Sequence, residues 1–345
     1  MKSSLKTLRE IPKVELHRHL DGSVRFETIQ DLARYQGIDL GCSTAEELRT
    51  LTKIDKPMED LESVLNSFWT TQKVLSSYEA IKRVTFENVE DAFRDGVVLA
   101  ELRFAPAFIS FGKEIGFNEI IEGVLDGLHE GMKKYPVQGG IICIAARGLD
   151  FEDNSRALAE TVHYRSGIHK ESDRICGFDL ADAEDSTNPE TFIPLINRAR
   201  DEGLGITVHS GENTDAAAVL SALNLYKPSR IGHGIKIRGN EEAEEKILRN
   251  NIHLELCITS NYLTRSVPSL EEHPFPDFYK KGMQVSLNSD DPHLMNIDLV
   301  HEYRLCEHLF DFQIDDFYAV NSSALNFSFL DDDVKSFIHS KYFKR

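Results

Sequence analysis

Two histidines, His17 and His19, stand two positions apart in the run Pro12-Lys13-Val14-Glu15-Leu16-His17-Arg18-His19-Leu20-Asp21-Gly22. On an extended strand, residues i and i+2 leave the backbone on the same side, so both imidazoles can reach one point in space, as a metal site requires. A His-x-His pair among 13 histidines in 345 residues arises readily by chance, so the pair alone decides nothing. Its weight comes from three later polar runs: Thr207-Val208-His209-Ser210-Gly211-Glu212, Ile231-Gly232-His233-Gly234 and Ser286-Leu287-Asn288-Ser289-Asp290-Asp291-Pro292. Neutral imidazoles plus a carboxylate are a ligand set that Zn²⁺ accepts while keeping a position for water. The ligand set read here is His17, His19, His209 and Asp290, holding one zinc ion per chain. Glu212 then remains to donate a proton to a substrate. His233 is left to take the proton of the activated water or to hold that oxygen in line.

These residues need a scaffold that brings distant segments together. Short apolar or β-branched runs alternate with longer segments of helical period, and eight of the runs read as strands: Val14 to His19, Val97 to Phe104, Gly140 to Ala146, Ile175 to Leu180, Gly205 to His209, Arg230 to His233, His253 to Ile258 and Gln284 to Asn288. Strand after helix after strand, without a linker or low-complexity break, predicts parallel βαβ units. The fold class expected is therefore α/β: a single (β/α)8 TIM barrel, residues 1–345, with extra helices inserted after the first strand. The last of those helices carries Ile81, Val84, Val89, Ala92 and Phe93 at helical spacing before Gly96 stops it. In such barrels the active site lies at the carboxyl ends of the strands. His17, His19, His209, His233 and the Asp290-Asp291 pair all fall there.

Composition narrows the partners. With 41% hydrophobic and 28% charged residues the chain reads as globular, and its formal net charge of −18 repels nucleic acid and anionic membranes, leaving a small-molecule substrate. No apolar stretch approaches the roughly 18 residues needed to span a bilayer. Residues Met1 to Glu10 are too polar for a secretory signal. The five cysteines, Cys42, Cys143, Cys176, Cys257 and Cys306, are odd in number and contain no C-x-x-C pair, which argues against a disulfide framework and for a reducing, cytoplasmic setting. Protein partners are not legible.

Taken together, His17-Arg18-His19-Leu20-Asp21-Gly22, His209-Ser210-Gly211-Glu212, Gly232-His233-Gly234, Cys257-Ile258-Thr259-Ser260-Asn261 and Ser286 to Pro292 resemble the adenosine deaminase family of the amidohydrolase superfamily. Asp55-Lys56-Pro57 and Glu101-Leu102-Arg103-Phe104-Ala105-Pro106 match its pattern too, so the resemblance runs in order from about residue 10 to beyond residue 290. It implies zinc-dependent hydrolytic deamination at the purine 6-amino carbon of adenosine or 2′-deoxyadenosine, giving inosine or 2′-deoxyinosine and ammonia. By the same resemblance Glu212 protonates N1, His233 and Asp291 orient the attacking oxygen, and Asp291 contacts N7. Asp21 matches an aspartate that bonds a ribose hydroxyl in nucleoside-specific members.

One departure bears on substrate choice. Family members commonly carry Asp-Leu-Ala-Gly-Asp-Glu after the fourth strand, where the glycine N–H serves purine N3; this chain has Asp179-Leu180-Ala181-Asp182-Ala183-Glu184. Asp182 keeps a backbone amide but adds a carboxylate beside the sugar edge. The Asp55 to Thr71 region is expected to form a lid, with Pro57 in a first helical turn and Met58, Leu61 and Phe68 covering the purine. Competing readings are a deaminase of adenine, a 5′-modified adenosine or aminodeoxyfutalosine, a cyclic-amide hydrolase, and a non-catalytic purine-binding barrel. The cyclic-amide hydrolase is disfavoured because no lysine ends the fourth strand.

Overall fold

The computed structural model describes residues 2–58 and 61–344, with the backbone alone described for 61–66. Eight parallel strands run β1 Lys13–His19, β2 Val97–Phe104, β3 Gln138–Ala146, β4 Ile175–Ala181, β5 Gly205–Ser210, β6 Arg230–His233, β7 His253–Leu256 and β8 Gln284–Leu287, each paired with the next in sequence order. The strands are buried on both faces, and in several of them apolar positions alternate with buried polar or charged ones. β1 and β8 are joined by an isolated bridge between Arg18 and Asp290. There the His19 N–H donates to Asp290 O at 2.8 Å and the Asp290 N–H to His17 O at 3.1 Å. The Leu16 N–H adds a bond to Asn288 Oδ1 at 2.9 Å. The seam that completes the (β/α)8 barrel thus passes through the histidine pair and the aspartate predicted to work together.

Alternation along each strand sorts the side chains. Val14 and Leu16 point outward and pack with Ala324 and Leu325 of the Ile314–Phe327 helix. Glu15, His17, Glu101, Arg103, Asp179, Thr207, His209, Arg230 and Glu255 occupy the opposite phase and are buried. The barrel interior is therefore charged, and its charges are paired. Arg103 meets Asp179 at 2.8 Å and Glu255 at 2.7 Å, while Arg230 meets Glu101 and Glu255, each at 2.6 Å. Burial of this kind is tolerated only when each charge finds an opposite charge and its remaining hydrogen bonds are supplied.

The predicted insertion after β1 consists of helices Phe26–Gln36, Ala45–Thr52, Leu61–Val74 and Tyr78–Arg94. Ile81, Val84, Val89 and Ala92 of the last are buried, and Gly96 ends the segment at φ +79°, where a Cβ would lie 1.9 Å from Arg9 O. Several expectations change. The third strand begins at Gln138 and not Gly140, and the eighth ends at Leu287 and not Asn288. Phe93 is 43% exposed, its ring stacked on Tyr135 at 5.2 Å instead of entering the core. Pro57 lies outside a first helical turn, because the described helix begins at Leu61. The seventh strand stops at Leu256 and not at Ile258. There Glu302 accepts hydrogen bonds from Ile258 N at 2.9 Å and Thr259 N at 3.2 Å, and these bonds start the helix Ile258–Leu263. Among the described residues no helix is long and apolar enough to cross a membrane, and all five cysteines are free.

Candidate active site

Strand ends deliver the functional groups, and three of them do so in a conformation that non-glycine residues rarely adopt. Asp182 after β4, His233 at the end of β6 and Asp290 after β8 have φ of +76°, +63° and +61°. Left-handed backbone at such residues costs on the order of 1–3 kcal/mol each and persists where the surroundings impose it. Here it turns each side chain back over the barrel mouth.

His17 Nε2 lies 3.1 Å from Asp290 Oδ1, and His19 Nε2 lies 3.4 Å from the same oxygen and 3.3 Å from His209 Nε2. One donor atom each from His17, His209, His233 and Asp290 falls within 4.8 Å of the others. Gly232 makes room for this crowd, since a Cβ there would sit 3.1 Å from His17 Cε1 and 3.3 Å from His209 Cγ.

The donors fit a cation. His17 Nε2 is fully buried with no hydrogen-bond partner. Burial holds the His19 imidazole well below its usual pKa and lowers His209 to about 4, so both rings are neutral at pH 7 and have lone pairs to offer. Their far sides are fixed: His17 Nδ1 is 2.8 Å from Glu255 Oε2 and His209 Nδ1 is 3.1 Å from Asp179 Oδ1. A carboxylate at Nδ1 holds the proton there and aims the Nε2 lone pair into the cluster, as metal-binding histidines require. Ser260 Oγ donates to Asp290 Oδ2 at 2.6 Å. His17, His19, His209 and Asp290 could therefore hold one metal ion.

Glu212 faces this cluster. Glu184 accepts hydrogen bonds from the backbone N–H groups of Gly211, Glu212 and Asn213 at 2.6, 2.8 and 3.1 Å and so pins the loop that carries it. Glu212 Oε1 accepts from Thr264 Oγ1 at 3.0 Å and Asn261 Nδ2 at 3.4 Å, and its Oε2 is 3.6 Å from His233 Nε2. Burial raises the Glu212 pKa. Asp291 is raised too, by burial and by the adjoining Asp290 charge, and its Oδ1 is buried without a partner. Gly22 lies so close that a Cβ would come within 1.8 Å of that oxygen.

Two adjoining pockets share His19, Phe68, Ala181 and Asp182. The inner one is lined by His209, Glu212, His233, Asp290 and Asp291, and the outer one by Asp21, Trp69, Phe108, Ile144 and Leu149. Asp21 Oδ2 accepts from Gln72 Nε2 at 2.6 Å and its Oδ1 has no partner, while burial lifts its pKa to about 6. The Asp182 carboxylate is engaged locally, accepting from Gly148 N at 3.0 Å and Ala183 N at 2.7 Å. Phe68 forms wall in both pockets. Met58 packs with Ile54, Leu263, Leu294 and Met295 in the cluster that backs Phe68. The Leu61 side chain lies outside the described residues.

Sequence reasoning assigned no role to Asp179, Glu255, Arg103, Ser260 or Asn261. For Asp179, Glu255 and Arg103 the signal was charge inside strands that otherwise read as buried, such as Glu255 in His253-Leu254-Glu255-Leu256; Ser260 and Asn261 stood in a run that carried the family resemblance without a role of their own.

Comparison with known proteins adds the following. The family model described as Adenosine deaminase matches residues 12–344. An adenosine deaminase of Clostridium botulinum (strain Okra / Type B1) is 34% identical over 332 residues, which span 96% of this chain and 97% of that relative. Among solved structures, an adenine deaminase from Arthrobacter aurescens superposes with a TM-score of 0.87 at 25% identity, covering 96% of this chain and 98% of the other. The N6-methyl-AMP deaminase of Arabidopsis thaliana gives a TM-score of 0.84 at 26% identity, covering 99% and 98%.

Proposed function

Because this chain belongs to the adenosine deaminase family and is thus an aminohydrolase acting on a purine C–N bond, we propose that it converts adenosine and 2′-deoxyadenosine to inosine and 2′-deoxyinosine, with release of ammonia, using one zinc ion. The observation that carries this reading is the convergence of His17, His19, His209 and Asp290 beside a buried, proton-retaining Glu212. Those four residues would hold the zinc, which when bound supplies Lewis-acid activation of a water molecule.

The chain's own groups divide the remaining work. Glu212 keeps its proton to a higher pH than an exposed glutamate and can deliver it to a ring nitrogen, making the neighbouring carbon electrophilic. His233 and Asp291 flank the position an attacking oxygen would take, and Asp291, its Oδ1 unpartnered, can bond a second ring nitrogen. Phe68 covers the ring and limits access of bulk water. The open Oδ1 of Asp21 in the outer pocket supports a hydroxyl-bearing sugar over a free base. Among the described residues, those lining that pocket include no lysine or arginine, which disfavours a nucleotide phosphate. Free cysteines throughout support a reducing, cytoplasmic setting.

The test is direct. Metal analysis of purified protein should find one zinc per chain, and ultraviolet monitoring should show adenosine and 2′-deoxyadenosine consumed with a higher kcat/KM than adenine or AMP. Preference for adenine or AMP would replace the nucleoside reading, and absence of bound metal would remove the zinc reading.

A further inference from the structure

His233 has two ring nitrogens, and what it does depends on which carries the proton. With the proton on Nε2 it donates a hydrogen bond into the site; with Nε2 bare it accepts a proton there. A chain of buried hydrogen bonds decides between them. It starts at the backbone, where Phe275 N–H, which can only donate, meets His273 Nδ1 at 3.1 Å. His273 is fully buried, and burial lowers its pKa to about 3, so the ring is neutral and its single proton must lie on Nε2. That nitrogen is 3.1 Å from Asn261 Oδ1. The Asn261 Nδ2 also lies 3.4 Å from Glu212 Oε1. Turned over, the Asn261 amide would set donor against donor at His273. Nδ2 therefore donates to His233 Nδ1 at 3.1 Å, and the His233 proton resides on Nε2. That nitrogen points between Glu212 Oε2 at 3.6 Å and Asp290 Oδ2 at 3.9 Å, both too long for a hydrogen bond and both beside the space the reacting oxygen would fill.

We propose that His273 is a positioning residue which, through Asn261, holds His233 in its Nε2–H form, so that His233 serves the reaction as a hydrogen-bond donor to the attacking oxygen and not as a general base. The proposal rests on the reading that His233 faces that oxygen. His273 itself touches no substrate. The run of bonds starts from a backbone donor at the head of the helix Phe275–Lys280 and ends at a side chain on β6, so the proton pattern is set by the fold before any ligand arrives.

The ring proton can be read independently of turnover. In zinc-loaded enzyme labelled with ¹⁵N-histidine, two-bond ¹H–¹⁵N correlation spectra report which nitrogen of each imidazole is protonated, and His233 is assigned by the resonances lost in His233→Asn. Wild type should show His233 protonated at Nε2 alone. His273→Phe should yield a mixture of the two forms and lower kcat roughly 10- to 100-fold, as loss of orienting partners does, with little change in KM. His273→Gln, whose amide can present an N–H to Asn261 Oδ1, should restore both the ring form and kcat. Protonation of wild-type His233 at Nδ1, or an unaltered His233 spectrum in His273→Phe, would overturn the proposal. Should His273→Phe not fold, the wild-type spectrum decides alone. A protein that deaminated some other purine would fail the substrate assay yet keep this spectral signature, so the two failures are distinguishable.

Discussion

Glu255 and Asp179 lie behind His17 and His209, and both carboxylates share Arg103. One guanidinium thus keeps two anions charged in a buried place, and each anion keeps a proton on the far nitrogen of a ligand-type imidazole. Glu212 sits under opposite conditions: a buried carboxyl with one amide and one hydroxyl donor and no cation as close, so that burial raises its pKa. Replacing it tests the role cleanly. Glu212→Gln preserves the shape and leaves the four metal-binding candidates intact, so zinc content should stay near one per chain. Turnover should fall on the order of 10²- to 10⁴-fold, the usual share of a positioned acid. Near-normal kcat in a zinc-replete variant would exclude Glu212 as the proton donor.

The strand ends show why a departure from the family pattern is tolerated. Asp182 takes φ +76°, a conformation that suits glycine, and its carboxylate compensates by accepting two backbone N–H groups of the adjoining loops. Both carboxylate oxygens are thus engaged by the loop, while Asp182 still lines both pockets. The inserted helix Leu61–Val74 contributes Phe68 to the walls of both pockets and Gln72 to Asp21, so one element would serve both proposed roles, the cover over the ring and the carboxylate toward the sugar. For Phe68→Ala we expect KM for adenosine to rise severalfold while zinc content is unchanged, compared by steady-state kinetics and metal analysis. An unchanged KM would remove the covering role.

Taken whole, the barrel trades an apolar interior for a paired ionic one, and pH acts on that bargain. Asp95, just ahead of β2, accepts the Leu299 N–H at 3.1 Å and is buried, and burial pushes its pKa to about 7 against the opposing Arg18 charge. The folded chain therefore binds this proton more tightly than the unfolded chain, whose aspartate titrates near 3.8. Its stabilising contribution is complete in acid and is lost as pH rises from about 4 to about 7. Asp95→Asn carries no such slope. In chemical denaturation of zinc-loaded protein, the stability of the variant relative to wild type should grow across that window. A difference that stays constant with pH would place the proton elsewhere.

Much of this architecture is legible in the chain itself, for a physical reason. Parallel strands packed against helices keep their outward-facing positions apolar, so β2 and β6 are bounded in the sequence where the fold bounds them, and polar residues closing such runs stand out as candidates for function. His17, His19, His209, His233 and Asp290 all announce themselves this way. β7 resisted because its end is set by Glu302, a distant acceptor that captures two N–H groups and turns strand into helix. The supporting layer resisted too. Asp179, Arg103, Glu255, Asn261 and His273 acquire meaning from partners brought in by folding, and a local period of two cannot say which groups will meet across a closed barrel. Proton placement on His233 depends on four such segments at once, so it follows from contacts that exist only after the chain has folded.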